Sequence, residues 1–163
     1  MVETHEQAVK RGGKSRAGGV AFEKRVRMDL ESKGFICDKW SNNVEFQKEN
    51  SIEVSGKFGG PFGKIVPAKA KWNNFTKSMM MGKGGFPDFI AFRKAGLRDD
   101  DRYDYVLIGV EVKSNGILDK QERAKCCWLI ENNIFSKIMI ARKTKVKNRI
   151  VIEYRDFNMK DGK

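Results

Sequence analysis

Two acidic residues and one lysine, each at the end of an apolar segment, are the residues of this sequence best suited to chemistry. Asp88 follows a proline and precedes the apolar residues 89–92, and Glu111 and Lys113 end the apolar run 105–113. A carboxylate in an apolar strand is costly unless a positive charge compensates it. The pattern therefore indicates that a cation faces Asp88.

The two apolar segments predict an antiparallel hairpin in which Asp88 lies opposite Glu111. In this register the tip falls between Asp99 and Asp100, in the most turn-like sequence of the region. Residues directly opposite each other have Cα atoms about 4.5 to 5.5 Å apart. Because side chains alternate along a strand, we expect Lys113 to share the face of Glu111.

Two opposed carboxylates repel each other, so the pair requires a compensating cation. Mg²⁺ prefers carboxylate oxygens, keeps several waters and accepts a phosphate oxygen. Lys113 beside such a metal would orient or help to deprotonate an attacking water and stabilise charge on a phosphate. The set predicts phosphodiester hydrolysis. The alternative is that Asp88 caps a strand end while Glu111 and Lys113 form an ordinary ion pair.

The composition favours a polyanionic partner and excludes several classes of enzyme. The 163 residues contain 33 Lys plus Arg against 21 Asp plus Glu, a formal net charge of +12. A basic surface of this kind suits nucleic acid. The one histidine, His5, lies near the N-terminus. Histidine-based nucleases, Ser-His-Asp hydrolases and HExxH metalloproteases, which need a histidine in the core, are therefore excluded.

The cysteines and the apolar runs predict a cytoplasmic, reducing setting without membrane contact. Cys37, Cys126 and Cys127 show no CxxC spacing and are too few for a structural zinc or iron–sulfur site. An odd count that includes an adjacent pair is a poor disulfide framework. No apolar run approaches the roughly 18 to 20 residues of a membrane span, and no signal peptide is visible.

The elements that must position these residues predict an α/β fold with a mixed β-sheet flanked by helices. Residues 19–34 indicate a helix, because Phe22, Val26 and Leu30 form an apolar stripe and Gly34 provides a stop. Glu23 lies at the edge of that stripe. We expect a second helix at 118–133 and strands at 35–40, 86–92, 105–113, 137–141 and 149–154.

The chain predicts one domain, residues 19–163, preceded by a basic flexible arm, residues 1–18. We interpret residues 41–83 as an inserted hairpin or long loop with β-like runs near 52–54 and 64–66. Five residues are predicted to contact nucleic acid. For Ser114 and Asn115 an ordinary turn is an equal alternative, and for Lys83 the alternative is local packing. The five residues are Lys14, Arg16, Lys83, Ser114 and Asn115.

The PD at 87–88 and the EVK at 111–113 resemble the signature of the PD-(D/E)xK nuclease superfamily. The segments GGVAFEKRV (18–26), GKGGFPDFI (82–90) and ILDKQERA (117–124) are similar to parts of archaeal Holliday junction resolvases and VRR-type nucleases. The resemblance covers residues 18–40 and 82–141. It implies a restriction-endonuclease-like αβββαβ core with the insertion at about 41–83.

The same resemblance implies a role for each site residue. Asp88, Glu111 and Glu23 would bind Mg²⁺, for which Mn²⁺ would substitute, and the Val112 carbonyl would be a further ligand. Lys113 would be the catalytic lysine. Gln121 would orient that lysine or the scissile phosphate. The alternative for Glu23 and for Gln121 is a polar residue on an exposed helix face.

The resemblance implies a homodimeric deoxyribonuclease of repair and recombination that cuts structured or branched DNA. The 41–83 segment is longer than the matching connection of compact archaeal resolvases. Because of this departure, the resemblance does not establish a four-way junction as the substrate. The alternatives are an exonuclease or nicking nuclease of repair, replication or a mobile element, and a non-catalytic nucleic-acid-binding module. A basic RNA-binding protein would leave the opposed carboxylates unexplained.

Overall fold

A computed structural model of the chain describes residues 5–46, 63–73, 78–80 and 85–158. Within these ranges the chain forms two helices and nine strands. In chain order they are α1 (His5–Ser32), β1 (Ile36–Lys39), β2 (Asn42–Phe46), β3 (Gly63–Pro67), β4 (Lys71–Asn73), β5 (Ser78–Met80), β6 (Phe89–Leu97), β7 (Tyr103–Val112), α2 (Lys120–Glu131), β8 (Lys137–Val146) and β9 (Arg149–Asp156).

Five strands form one mixed sheet in the order β1-β6-β7-β8-β9. β7 and β8 run parallel and are connected through α2, whereas the other neighbours are antiparallel. The apolar residues of α1 pack on one face of this sheet, and those of α2 pack on the other. The predicted α/β fold with a mixed sheet flanked by helices is thus confirmed, and it has three layers.

The apolar stripe predicted for the first helix forms the core on the α1 face. Phe22, Val26 and Leu30 are fully buried there together with Phe89 and Ile108. Their spacing places them on one side of a helix with 3.6 residues per turn. The packed stripe fixes α1 against the sheet and brings the residue beside it, Glu23, to the end of β1.

The start of the first helix differs from the sequence-based expectation. α1 begins at His5 and not at Gly19, so residues 5–18 of the segment predicted to be a flexible arm are helical. Four glycines, which lower helix propensity, suggested an irregular segment. The glycines form two adjacent pairs among strong helix formers such as Gln7 and Ala17, and no proline interrupts the segment. The second half of the helix is packed on the sheet and anchors the first half. The side chains of residues 10–18 are exposed.

The central hairpin has the predicted register over most of its length. Phe89 pairs with Val110, and the same offset continues to Lys94 opposite Tyr105. Extended by one residue, this register places Asp88 beside Glu111. Past Lys94 a bulge shifts the pairing by one residue, so the turn closes between residues 98 and 102. The tip is therefore centred on residue 100, and the expectation of a tip between residues 99 and 100 was wrong by that shift.

The predicted insertion contains two short antiparallel hairpins. β2 pairs with β3, and β4 pairs with β5. The β-like run at 64–66 is therefore a strand. The run at 52–54 and Lys83 lie outside the described residues. On the α2 face of the sheet, Val44 of β2 is buried in the core with Phe86 and Leu129.

The cysteines are free thiols, and two of them, Cys37 and Cys126, are buried. Burial raises the pKa of Cys37 to about 11, so this thiol stays protonated near neutral pH. Cys37 therefore packs as a small apolar side chain of the α1 core. Neither of the two helices in the described part of the chain is long and apolar enough to cross a membrane.

Candidate active site

Six charged side chains meet at one end of the sheet, between the two helix layers. Two are lysines and four are carboxylates, and each lysine contacts more than one carboxylate. α1 and β1 contribute from one face of the sheet, and β7 and the first turn of α2 contribute from the other. The six residues are Glu23 of α1, Lys39 of β1, Asp88 before β6, Glu111 of β7, Lys113 after β7 and Glu122 of α2.

Backbone N–H groups of the hairpin donate to the side-chain carboxylates of both Glu111 and Asp88. The Asp88 N–H donates to Glu111 Oε2 at 3.2 Å, and the Val112 N–H donates to Asp88 Oδ2 at 2.9 Å. Pro87 packs against the space over Gly109, where a Cβ would lie 2.7 Å from the proline ring. A glycine at this position therefore lets the segment before β6 approach the sheet, and that approach sets the position of Asp88.

The electrostatic environment raises the pKa values of both carboxylates. Burial, with the nearby charge of Asp88, raises the pKa of Glu111 to about 8, although Lys113 acts in the opposite direction. Burial also raises the pKa of Asp88, and the charge of Glu23 adds to that, while the Val112 N–H opposes it. Near neutral pH the pair therefore does not carry two full negative charges unless a cation compensates them.

Lys113 lies between two carboxylates. Its Nζ is 3.3 Å from Glu111 Oε1 and 2.5 Å from Glu122 Oε1. Burial lowers the pKa of Lys113, but its hydrogen bonds and ion pairs with Glu122 and Glu111 outweigh this, and the pKa is raised overall. The lysine is therefore an ammonium ion whose position is fixed from both sides.

Glu122 is a residue of this cluster that the sequence analysis did not identify. Asp119 and Glu122 form a capping box at the start of α2: Asp119 Oδ1 accepts from the Glu122 N–H at 2.8 Å, and the Asp119 N–H donates to Glu122 Oε2 at 2.9 Å. The D-x-x-E spacing was the available signal. The contact with Lys113 that we expected of Gln121 is made by Glu122. Gln121 is exposed on the same turn, and its role stays a prediction.

Lys39 is the second residue that the sequence analysis missed. Its ammonium group forms an ion pair with Glu23 and lies 4.0 Å from Asp88 Oδ1, above the ring of Phe89. Because Cys37 faces the α1 core, alternation along β1 directs Lys39 to the same face. The structure thus brings Glu23 and Asp88 to the same lysine.

The donor set suits a hard divalent cation only in part. Asp88 and Glu111 supply the carboxylate oxygens that Mg²⁺ prefers. Among the residues that the structure describes, no group of three or more His, Cys, Asp or Glu side chains is arranged to hold a metal ion. Glu23, the predicted third carboxylate, faces Lys39 instead. Two carboxylates are therefore side by side, and Glu23, which is paired with Lys39, stays a predicted third ligand. The Val112 carbonyl stays a predicted ligand.

The residues predicted to contact nucleic acid lie on exposed surface where the structure describes them. Lys14 and Arg16 are exposed on the first half of α1. Ser114 and Asn115 form an exposed turn after Lys113, in which the Ser114 carbonyl accepts from the Lys143 N–H at 3.2 Å. The turn therefore lies beside the site, and its contact with phosphate stays a prediction.

Likeness to known proteins does not assign this site. The motifs at 87–88 and 111–113 and the geometry of the six charged side chains therefore carry the functional interpretation. Comparison of the chain with protein-family models, with curated proteins and with solved structures gave no match.

Proposed function

We propose that the protein is a divalent-metal-dependent deoxyribonuclease that hydrolyses phosphodiester bonds, with structured or branched DNA as its expected substrate. The observation that carries the proposal is the placement of Asp88 against Glu111, with the Lys113 ammonium 3.3 Å from the latter. Carboxylate pairs of this kind bind hard divalent cations, and a neighbouring ammonium suits a phosphate. The net charge of +12 suits a DNA partner.

An ordinary structural ion pair between Glu111 and Lys113 explains this arrangement less well. In such a pair the lysine would hold the pKa of the glutamate below its usual value. Here burial and the Asp88 charge raise that pKa to about 8 in spite of Lys113. A buried and a half-buried carboxylate that oppose each other at the end of a sheet destabilise the fold, and such perturbed groups are concentrated at functional sites.

The chemistry divides between the bound cation and the side chains around it. A divalent cation held by Asp88 and Glu111 supplies Lewis acidity and positive charge next to the phosphate. The raised pKa of Lys113 keeps it protonated, so its role is to bind the phosphate and stabilise negative charge there, and not to accept a proton from water. Glu122 fixes the position of Lys113.

The fold supports the same proposal. The order α1, β1, β6, β7, α2, β8 matches the helix, three strands, helix, strand order expected of a restriction-endonuclease-like core, with β2 to β5 in the place of the expected insertion. The proposal includes a homodimer, which the resemblance of the motifs implies. It also includes a cytoplasmic location, which the cysteine usage favours.

A non-catalytic nucleic-acid-binding module is the second candidate. The observation in its favour is that lysines already neutralise the carboxylates: Lys39 pairs with Glu23, and Lys113 pairs with Glu111. A protein that only binds DNA needs no metal at this place. The two candidates therefore differ in whether a divalent cation replaces a lysine at the site.

Cleavage assays separate the two candidates. Labelled linear, nicked, flap and four-way DNA are incubated with Mg²⁺, Mn²⁺ or EDTA. We expect metal-dependent cleavage that Asp88→Asn lowers by at least about 10²-fold, because the variant loses a metal ligand. Asp104→Asn is the matched control, since Asp104 is an exposed residue of the same hairpin, paired with Arg98. Its activity should equal that of the wild type.

Two results would overturn the nuclease proposal. The first is a wild-type protein that binds these DNAs and cleaves none of them with either metal, which would leave the binding module. The second is cleavage that Asp88→Asn and Asp104→Asn leave equally intact, with both variants folded by circular dichroism.

A further inference from the structure

A cavity of about 380 Å³ lies beside the segment that connects Lys113 to α2. Three arginines from three different elements line it: Arg123 from α2, Arg142 from β8 and Arg155 from β9. None of its lining residues is acidic. Leu118 and Phe157, which are both buried, also line it. The cavity is therefore strongly cationic, with an apolar part contributed by the core.

Arg142 has a donor that the described residues do not satisfy. It lies opposite Glu153 in the β8–β9 ladder, and its Nη2 donates to Glu153 Oε1 at 2.7 Å. Its Nε is buried and has no acceptor among the residues described. A buried N–H without an acceptor is costly. An anion in the cavity would supply that acceptor once the Arg142 side chain turns its Nε towards it.

The other two arginines converge on the same place. Arg123 Nη1 donates to the Leu118 carbonyl at 2.9 Å, which holds this guanidinium over the loop before α2. Arg155 is exposed and pairs with Ile140, so alternation places it on the same sheet face as Arg142. Three guanidinium groups against the single charge of Glu153 leave net positive charge. Guanidinium groups bind phosphate oxygens through paired hydrogen bonds.

The cavity is coupled to the candidate active site through the turn after Lys113. The Gly116 N–H donates to the Lys113 carbonyl at 2.8 Å, and Gly116 has a φ of +73°. A Cβ at this position would lie 2.7 Å from Arg142 Cδ, so the turn rests directly on the stem of that arginine. Asn115 of the same turn lines the cavity. The turn therefore connects Lys113 directly to the arginine-lined cavity.

We propose that this arginine pocket binds a second phosphate group of the DNA strand, adjacent to the phosphate that is cut. The proposal rests on the proposed nuclease function and adds a subsite to it. The ligand is a phosphate group, either a phosphodiester within the strand or a phosphomonoester at its end. In both cases the pocket fixes where along the strand the site cuts.

Binding in EDTA tests the pocket independently of cleavage. The probe is a fluorescent DNA duplex with a single-stranded end, prepared with either a hydroxyl or a phosphate at that end, and its Kd is measured by anisotropy. We expect Arg155→Gln and Arg123→Gln each to weaken binding about tenfold. The slope of log Kd against log salt should fall by about one.

Arg149→Gln is the matched control. Arg149 is exposed on the same strand as Arg155 but lies about 20 Å away, at roughly 3.3 Å per residue. The Arg149→Gln substitution removes the same charge as Arg155→Gln. We expect it to change Kd by less than about twofold. If Arg155→Gln does not fold, as judged by circular dichroism, Arg155→Lys keeps the charge and should still weaken binding through the lost paired hydrogen bonds.

The results distinguish the source of the phosphate and the two proposals. If the arginine variants weaken the binding of the hydroxyl-ended and the phosphate-ended probe equally, the pocket binds a phosphodiester. If the wild type prefers the phosphate-ended probe and the variants lose that preference, the pocket binds a phosphomonoester. Equal effects of Arg155→Gln and Arg149→Gln would overturn the pocket, even if the wild type cleaves DNA in an Asp88-dependent way. A pocket-dependent Kd with no cleavage would overturn the nuclease alone. Absence of DNA binding by the wild type would overturn both.

Discussion

The two lysines of the site are held very differently. The Lys113 side chain is 27% exposed and lies between Glu111, 6% exposed, and Glu122, 20% exposed. The Lys39 side chain is 49% exposed, and its partners Glu23 and Asp88 are 30% and 19% exposed. One lysine is thus enclosed by a buried strand end and a capped helix, whereas the other lies at the solvent boundary.

This difference assigns the two lysines different roles. An exposed ion pair is screened by water and contributes little, so Lys39 is easily displaced from Glu23 and Asp88. Removing a partner from a buried pair is costly, so Lys113 stays in place. When a divalent cation binds, we therefore expect Lys39 to leave and Lys113 to remain beside the phosphate. The comparison predicts which lysine is required for cleavage and which competes with the metal.

The largest expected effect is on cleavage. Lys113→Met should lower the single-turnover rate at saturating Mg²⁺ by about 10²- to 10³-fold, because it removes the positive charge that stabilises the phosphate. Lys39→Met should change that rate by less than about tenfold, since the metal has already displaced this lysine. Quenched-flow cleavage of the best DNA substrate measures both rates, with Kd for DNA measured separately in EDTA.

An equal loss in the two variants would contradict the comparison, because it would make Lys39 as necessary as Lys113. A Lys113→Met variant that cleaves at the wild-type rate would show that the buried lysine serves only to neutralise Glu111.

The next effect is on stability, and it concerns the buried side of the site. The pKa of Glu111 is about 8 in the folded chain against an ordinary value of 4.5. Between these values the folded state binds more protons than the unfolded state, so the stability of the metal-free protein falls as pH rises from about 4.5 to 8. Glu111→Gln cannot lose a proton, and it should remove much of this fall, on the order of a few kcal/mol.

Thermal melts in EDTA between pH 5 and 8.5 measure this effect. At pH 8.5 the melting temperature of Glu111→Gln should exceed that of the wild type. Glu23→Gln on the exposed side is the matched control, and its decline with pH should parallel the wild type. If the melting temperatures of the wild type, Glu111→Gln and Glu23→Gln fell in parallel as pH rises, the ionisation of Glu111 would not lower the stability of the fold. The contrast between the two sides of the site would then fail.

Local patterns in the sequence predicted most of the sheet, the buried face of the first helix and the approximate extent of the second. The stripe of Phe22, Val26 and Leu30 repeats with the helical period. Placing Asp88 opposite Glu111, with the tip in a turn-like sequence, predicted the pairing of residues 89–94. The bulge after Lys94 and the helical start at His5 were not predictable in the same way. Both depend on small differences in local free energy that packing decides.

The site residues differ in the same way, because some follow from local patterns and others depend on packing. Asp88, Glu111 and Lys113 were found because one hairpin brings them together. Glu122 follows from a local capping signal that could have been used. Lys39 could not be found, because its position depends on β1 packing against both α1 and β6, and no single stretch of sequence encodes that. The arginine pocket was hidden for a related reason, because it depends on how α2 packs against the β8–β9 hairpin.

The smallest expected effect is on metal affinity, and it tests the exposed lysine directly. Lys39→Met removes the cation that pairs with Glu23 and lies 4.0 Å from Asp88 Oδ1. A metal that no longer competes with this lysine should bind more tightly by about two- to fivefold, the range expected for one exposed ion pair. Titration with Mn²⁺, followed by electron paramagnetic resonance of the free ion, measures the affinity without DNA or turnover.

Lys33→Met is a closely matched control for that titration. Lys33 is also 49% exposed and pairs with a carboxylate that is 31% exposed, Asp29, but both residues lie away from the six charged side chains of the site. Equal tightening in the two variants would attribute the effect to net charge alone. Weaker Mn²⁺ binding by Lys39→Met would reverse the role of Lys39, because the lysine would then hold Glu23 and Asp88 in position for the metal and would not compete with it.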